Sequence, residues 1–270
     1  MKRTLKIVAI VIGSCLIAGL FAGALYEIYV AVLKVKLSDI RQEETRYIAH
    51  RGLSSRFYEN TAEAFEAAGL SDFFYGIETD IWRTADGQYV CTHDEYPFAD
   101  ASKSVKDLTL DECLDLPLKN DESGSMRLVA LETYLAICLK YDKVALVELK
   151  PRFSDSELKE ISQICVSAMP ADKLILASFD DKNLKRLAAA DAPFGLMHFQ
   201  SARGWIVHNA NLGYSMGVKY KALSESLVTA IHGLQVAVAV WTVDDPAEAA
   251  RFAEMGVDYV ITNVDLSAVA

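Results

Sequence analysis

The chain of 270 residues lacks three features, and each absence removes a class of protein from consideration. Lys and Arg number 27 against 37 Asp and Glu, and the resulting net charge of −10 argues against a nucleic-acid partner. The five cysteines are odd in number and form no C-x-x-C pair, which favours buried or free thiols. No glycine-rich turn follows the first predicted strand, which disfavours a doubly wound open sheet, the runner-up fold.

A long run without charged residues is present near the N-terminus. It covers residues 7–26, and about 20 apolar residues are enough to span a bilayer. Lys2, Arg3 and Lys6 precede the run, which favours a cytoplasmic N-terminus and an extracytoplasmic location for the rest of the chain. We therefore expect a single-pass membrane protein with a transmembrane helix in residues 1–30 and a juxtamembrane connector in residues 31–46. The alternatives are a cleaved signal peptide, a lipobox ending at Cys15 and a buried core helix.

Short β-rich runs alternate with helical patterns from residue 47 onward. The predicted strands are residues 47–49, 75–82, 144–149, 174–179, 194–199, 214–218, 236–243 and 259–262. Asn60 is the expected N-cap of the first helix, with Glu63 completing a capping pair. Strands and helices in alternation predict an α/β fold, a (β/α)8 barrel of the TIM type over residues 47–270.

One strand pattern, at residues 89–92, has no helix before it. Asp86-Gly87 separates it from the second barrel strand and predicts a hairpin with a two-residue turn. In that register Asp80 stands opposite His93. Residues 95–125 follow as a small insertion, for which a pocket-shaping loop and a disordered excursion are both open.

Carboxylates occur at the ends of two predicted strands. Glu78 and Asp80 are two residues apart and share a face, as do Glu148 and Lys150. Inward-facing acids repel one another unless a cation lies between them, and an all-oxygen set suits Ca2+ or Mg2+ better than zinc. Solvent-facing acids, or a plain ion pair between Glu148 and Lys150, are the structural alternatives.

Several motifs occur in an order that resembles the glycerophosphodiester phosphodiesterases: His50-Arg51-Gly52, Glu59-Asn60-Thr61, Glu78-x-Asp80, His93-Asp94, Val147-Glu148-Leu149-Lys150 and Trp241-Thr242-Val243. The resemblance implies a TIM-type barrel that hydrolyses glycerophosphodiesters to glycerol 3-phosphate and an alcohol. It also implies a divalent cation, Ca2+ or Mg2+, on the three carboxylates. The roles it implies are acid–base catalysis by His50 and His93 and phosphate binding by Arg51 and Lys150, with Glu59, Asn60 and Asp94 in support. Trp241 is either a wall of the substrate pocket or a packing residue.

The chain departs from the family pattern at three places. Tyr58 stands where a proline is usual, the leucine-x-arginine after His93-Asp94 is absent, and Asn263 stands where an aspartate is common. The alternative functions are a phospholipase-like phosphodiesterase acting on intact lipids or an anionic wall polymer, and a non-catalytic, membrane-anchored binding barrel. The sequence does not indicate an oligomeric state.

Overall fold

A computed structural model describes residues 44–267. Its strands are β1 (Arg46–Ala49), β2 (Phe74–Arg83), β3 (Tyr89–Cys91), β4 (Val144–Leu149), β5 (Leu174–Ser178), β6 (Gly195–Gln200), β7 (Ser215–Lys219), β8 (Val238–Trp241) and β9 (Tyr259–Thr262). All except β3 are parallel, and β1 pairs with both β2 and β9, which closes a barrel of eight strands. The predicted (β/α)8 barrel is confirmed.

The helices of the described part surround the strands: α1 (Ala62–Leu70), α2 (Leu110–Asp115), α3 (Leu131–Lys140), α4 (Asp155–Ala168), α5 (Asp181–Ala189), α6 (Ile206–Ala210), α7 (Glu225–His232) and α8 (Pro246–Glu254). The sequence analysis did not anticipate α6. Five residues make little more than one helical turn, so no hydrophobic period can be read from them.

The start of α1 corrects one prediction. Thr61 is the N-cap, and its hydroxyl accepts a hydrogen bond from the amide of Ala64 at 3.4 Å. Asn60, the predicted cap, has a left-handed φ of 58° and sends its side chain to Thr79 and Asp80 instead. The prediction was wrong because the amide group of Asn60 has better partners inside the barrel than at the end of the helix.

The hairpin of β2 and β3 is present, but its register differs from the predicted one by one residue. The amide of Thr92, and not that of His93, donates to the carbonyl of Asp80 at 2.9 Å. The loop has three residues, 85–87, and Gly87 adopts a φ of 86°. A three-residue loop with a left-handed glycine is a common hairpin type, and the expected two-residue turn was wrong.

The insertion after β3 has a small hydrophobic core of its own. Its members are Val90, Phe98, Val105, Leu108, Cys113, Leu118 and Leu128. Phe98 also bridges to Leu118 across the insertion. The segment is therefore packed against the barrel, which decides against the disordered excursion.

Within residues 44–267 no helix is both long and apolar enough to cross a bilayer. The predicted anchor at residues 1–30 lies outside the described residues, as does the connector up to residue 43.

Candidate active site

The carboxyl ends of the barrel strands surround a cavity of about 150 Å3. Its walls are His50, Arg51, Glu78, His93, Glu148, Lys150, Phe179, Phe199, Trp241 and Ile261. The structure thus brings most of the predicted site residues to one place. The other four, Glu59, Asn60, Asp80 and Asp94, each contact a residue of this wall or another member of the site.

Three buried carboxylates form a cluster at the base of the site. Glu78, Asp80 and Glu148 each offer an oxygen, and these oxygens lie within 4.8 Å of one another. Burial and the charge of Asp80 raise the pKa of Glu78 well above its usual value, and the same two causes raise the pKa of Glu148 to about 7. Among the described residues, Asp80 Oδ1 accepts no hydrogen bond although it is buried. A cluster of hard oxygen donors, one of which has a long ion pair but no hydrogen bond, fits a divalent cation.

Two cationic side chains compensate part of this negative charge. Arg51 Nε lies 3.1 Å from Asp80 Oδ2, and Lys150 Nζ lies 2.9 Å from Glu148 Oε1 and 3.4 Å from Asp80 Oδ1. Burial opposes ionisation of Asp80, but Arg51 and Lys150 outweigh it and lower the pKa of that carboxyl. Glu59 holds the other side of the guanidinium, 2.8 Å from Arg51 Nη1. Both cations therefore face the cavity from fixed positions.

Two non-glycine residues of the site have left-handed backbone. Arg51 has a φ of 57°, and its amide donates to Glu78 Oε2 at 2.9 Å. Asn60 has a φ of 58° and donates from Nδ2 to Asp80 Oδ2 at 3.1 Å, while Thr79 donates to its Oδ1 at 2.7 Å. Such conformations cost about 1–3 kcal/mol each and persist where surrounding contacts hold them. Here they direct an amide and a carboxamide at the carboxylates.

A chain of hydrogen bonds determines the protonation of His50. Asn263 donates from its amide nitrogen to Asp244 Oδ2 at 2.7 Å, so its Oδ1 is turned to His50 Nδ1, 2.7 Å away. An amide oxygen only accepts, hence Nδ1 carries the proton and Nε2 of a neutral ring is an acceptor. Burial and the neighbouring Arg51 lower the pKa of His50 and favour this neutral form.

His93 has a different partner. Its Nδ1 lies 2.8 Å from Asp94 Oδ1, and the other oxygen of Asp94 lies 2.5 Å from Lys119 Nζ in the insertion. The ring is about one-third exposed, whereas His50 is more deeply enclosed. His50 Nδ1 is thus hydrogen-bonded to a neutral amide, and His93 Nδ1 to a carboxylate.

The opposite wall of the cavity is aromatic. Trp241 contacts Phe179 and Phe199 edge to face, with ring centroids 5.5 Å and 5.9 Å apart. The indole nitrogen of Trp241 has no hydrogen-bond partner in the described part of the chain. The cavity therefore combines a charged side for an anion with an apolar side for carbon atoms.

A barrel that places two imidazoles beside three buried carboxylates at the carboxyl ends of its strands fits the chemistry of a phosphodiester hydrolase. Residues 50–265 match the model of the Glycerophosphoryl diester phosphodiesterase family, and the chain belongs to that family. The resemblance found in the sequence motifs is confirmed.

Relatives agree with this assignment. A glycerophosphodiester phosphodiesterase of Caldanaerobacter subterraneus subsp. tengcongensis is 28% identical over 82% of this chain and 94% of its own. The crystal structure of a glycerophosphodiester phosphodiesterase from Parabacteroides distasonis has a TM-score of 0.68 and 26% identity, and it covers 84% of this chain and 94% of that one. A phosphodiesterase of Oleispira antarctica, solved with the product sn-glycerol-3-phosphate, shares the fold with a TM-score of 0.73 and 22% identity, covering 82% and 93% of the two chains.

Sequence reasoning gave no role in the site to five residues that line or support it: Phe179, Phe199, Ile261, Asn263 and Asp244. Phe179 follows β5 and Phe199 lies within β6, and neither was predicted to line the cavity. Asn263 was noted only as a departure from the family pattern. Its hydrogen bond to His50 joins residues more than 200 positions apart, and Asp244 holds its amide group in place. The only signal for Asp244 was its position just after β8, where barrel strands deliver functional side chains.

Proposed function

We propose that the protein hydrolyses glycerophosphodiesters to glycerol 3-phosphate and an alcohol. The observation that carries the proposal is the single cavity in which the two histidines, the carboxylate cluster, Arg51 and Lys150 meet. The Oleispira relative was solved with glycerol 3-phosphate, the product that the proposal requires.

Phosphate binding is the role proposed for Arg51 and Lys150. Both cations face the cavity beside the carboxylates, and a guanidinium offers planar donors to phosphoryl oxygens. Glu78, Asp80 and Glu148 would hold a divalent cation, Ca2+ or Mg2+, which supplies positive charge to the phosphoryl oxygens when it is bound. Asn60 and Glu59 keep Asp80 and Arg51 in place.

The hydrogen bonds of the two histidines support separate roles. His50, with Nδ1 held by Asn263, presents Nε2 as a base that withdraws the proton from the attacking hydroxyl. That oxygen, from water or from the glycerol hydroxyl of the substrate, forms a bond to phosphorus, and the bond from phosphorus to the leaving oxygen breaks. Where the glycerol hydroxyl attacks, water then opens the cyclic phosphate to give glycerol 3-phosphate. His93, whose positive form is compensated by Asp94, donates a proton to the departing alkoxide. Trp241 contributes the apolar wall against which the glycerol carbons pack.

Product analysis tests the proposal. The protein purified with added Ca2+ or Mg2+ is incubated with glycerophosphocholine, and glycerol 3-phosphate is measured by an enzyme-coupled assay. Release of glycerol 3-phosphate and choline in equal amounts, abolished by a chelator, is the expected result. Release of phosphocholine, or of nothing, would contradict it.

We propose further that residues 1–30 anchor the protein in a membrane and that the barrel acts on the extracytoplasmic side. The uncharged run at residues 7–26 and the cationic residues before it support this. Fractionation of cells and protease treatment of intact spheroplasts test it. Barrel fragments released by external protease are expected, and a barrel that is protected until lysis would contradict the orientation.

A further inference from the structure

An open groove of about 640 Å3 adjoins the catalytic cavity. The two share Lys150 and Phe179, so the groove begins beside the proposed phosphate site and runs over the ends of β5 and β6 towards α6. The cavity alone, at about 150 Å3, is smaller than the roughly 300–1,000 Å3 that small-molecule sites occupy. If the cavity takes the glycerophosphoryl half of a diester, the alcohol half extends into the groove.

His198 brings a buried acceptor to this groove. The side chain is only 5% exposed, and its Nε2 lies 3.3 Å from the carbonyl oxygen of Phe179. A carbonyl only accepts, so Nε2 carries the proton of the neutral ring and Nδ1 is left as an acceptor. Among residues 44–267 no group donates to Nδ1. Burial lowers the pKa of His198, which keeps the ring neutral.

Gln200 brings a second acceptor. It donates from Nε2 to the carbonyl of Gly204 at 3.2 Å, and its Oε1 has no partner in the part of the chain that the structure describes. Positions 198 and 200 are two apart on β6 and therefore share a face. The terminal amide of Gln200 turns about a soft torsion. A buried acceptor without a donor is unfavourable, and a ligand that donates two hydrogen bonds relieves both.

The charges of the groove do not call for a cationic ligand. Its two acids already have partners, since Arg152 Nε lies 2.6 Å from Asp180 and Lys185 Nζ lies 2.5 Å from Asp181. Trp205 is 74% exposed and offers a flat face to carbon atoms along the same groove. The residues that line the groove thus combine aromatic surface for carbon atoms with two acceptors that lack donors.

From these features we infer that the groove binds the leaving alcohol and favours a neutral alcohol with adjacent hydroxyl groups, such as glycerol. The inference rests on the proposed function, because it assigns the second half of the same diester. Both acceptor atoms are buried in the structure, and binding would turn the two side chains so that His198 Nδ1 and Gln200 Oε1 accept hydrogen bonds from two hydroxyl groups. A quaternary ammonium group has no hydrogen to donate, and a primary ammonium group brings a charge that the groove does not compensate.

The experiment compares three diesters that share the glycerophosphoryl half: glycerophosphoglycerol, glycerophosphocholine and glycerophosphoethanolamine. We expect kcat/KM of the wild-type protein to be about 10-fold higher with glycerophosphoglycerol than with the other two. His198→Phe and Gln200→Leu should each remove most of this preference by lowering kcat/KM for glycerophosphoglycerol more than for the other two diesters. His198→Gln retains an acceptor and should retain the preference.

His208→Phe is the matched control, because His208 also lines the groove but is exposed and has no buried, unsatisfied atom. Its preference should equal that of the wild type. Equal kcat/KM for all three diesters, or a preference for glycerophosphoethanolamine, overturns the inference while hydrolysis itself persists. Absence of hydrolysis with every diester overturns the proposed function and the inference together. Thermal unfolding shows whether a loss in His198→Phe comes from misfolding, and Gln200→Leu then decides.

Discussion

The two ends of the barrel bury charged groups in opposite ways. At the amino-terminal end, Lys143 is 9% exposed and donates to the carbonyls of Ser71 and Phe74 at 2.8 and 2.7 Å. His232 pairs with Asp258 at 2.8 Å, and the same carboxylate accepts the amide at the start of β8. These side chains have partners, and they tie the strand starts to the helices and loops below.

The carboxyl-terminal end leaves some of its polar atoms unsatisfied. Asp80 Oδ1 and Trp241 Nε1 have no hydrogen-bond partner among the described residues, although both atoms are buried. Arg51 and Asn60 are held with left-handed backbone, and three carboxylates crowd together. The comparison shows that the buried polar groups named here are paired at one end of this barrel and partly unpaired at the other, which is the end that carries the active site in barrels of this type.

The largest effect should follow from neutralising the carboxylate cluster. Glu78→Gln and Asp80→Asn should each lower kcat/KM by at least about 10³-fold. Each substitution weakens the proposed cation site, and the negative charge on the phosphoryl oxygens then lacks the positive charge of the cation. In the metal-free protein Glu78→Gln removes repulsion from the neighbouring acids and should not lower the Tm, whereas Asp80→Asn also removes the partner of Arg51 and Lys150. Steady-state kinetics and thermal unfolding with a chelator measure both. Full activity in either variant would refute the claim that the carboxylates at the carboxyl-terminal end of the barrel serve catalysis.

Removing either histidine should lower kcat/KM by about 10²–10⁴-fold. The two variants should differ when the leaving group needs no proton. With a nitrophenyl ester of glycerol phosphate, His93→Ala should recover most of its activity and His50→Ala should not. The ratio of rates on nitrophenyl and choline diesters measures this. Recovery in His50→Ala alone would reverse the acid and base roles.

At the amino-terminal end of the barrel, a substitution should lower stability and leave activity unchanged. Lys143→Met leaves two buried carbonyls without their donor and should lower the free energy of unfolding by about 2–3 kcal/mol. Activity should remain within about 2-fold of the wild type, because the side chain lies at the far end of the strands. Urea unfolding together with kcat/KM on glycerophosphocholine gives the answer. Lost activity in a folded variant would show that the two ends are coupled.

The smallest effect should come from the amide that supports His50. Asn263→Asp places a carboxylate beside the ring, which favours the imidazolium and raises the pKa of His50. His50 acts as a base only when neutral, so the acidic limb of the kcat/KM profile should move to higher pH by about one unit. Activity above that limb should change little. An unmoved limb would mean that His50 is not the group that the limb reports.

Much of the catalytic end was predictable because its residues are local to strand ends. The alternation of strands and helices gave the barrel, and a spacing of two placed Glu78 with Asp80 and Glu148 with Lys150 on shared faces. The register of the hairpin could not be predicted. One additional residue in the loop shifts every residue pair between β2 and β3, and only the geometry of the turn determines the length of the loop. His93 nevertheless reaches the cavity.

Contacts between residues far apart in the chain could not be predicted from the sequence. Asn263 meets His50 only because β9 lies beside β1 in the closed ring. Asn60 was assigned to a helix cap by a local rule, and the rule failed because a buried carboxylate competed for its amide group. The unpaired acceptors of His198 and Gln200 could not be predicted either, because the folded structure decides which groups among residues 44–267 lie within hydrogen-bond distance of them.

Titration calorimetry of the chelator-treated protein with Ca2+ and with Mg2+ tests the central claim most directly. If the catalytic end reserves its carboxylates for a cation, the wild type and Lys143→Met should each bind one ion per chain, and Asp80→Asn should bind it at least about 100-fold more weakly. Equal binding by the wild type and Asp80→Asn, or no binding by the wild type, would contradict the claim.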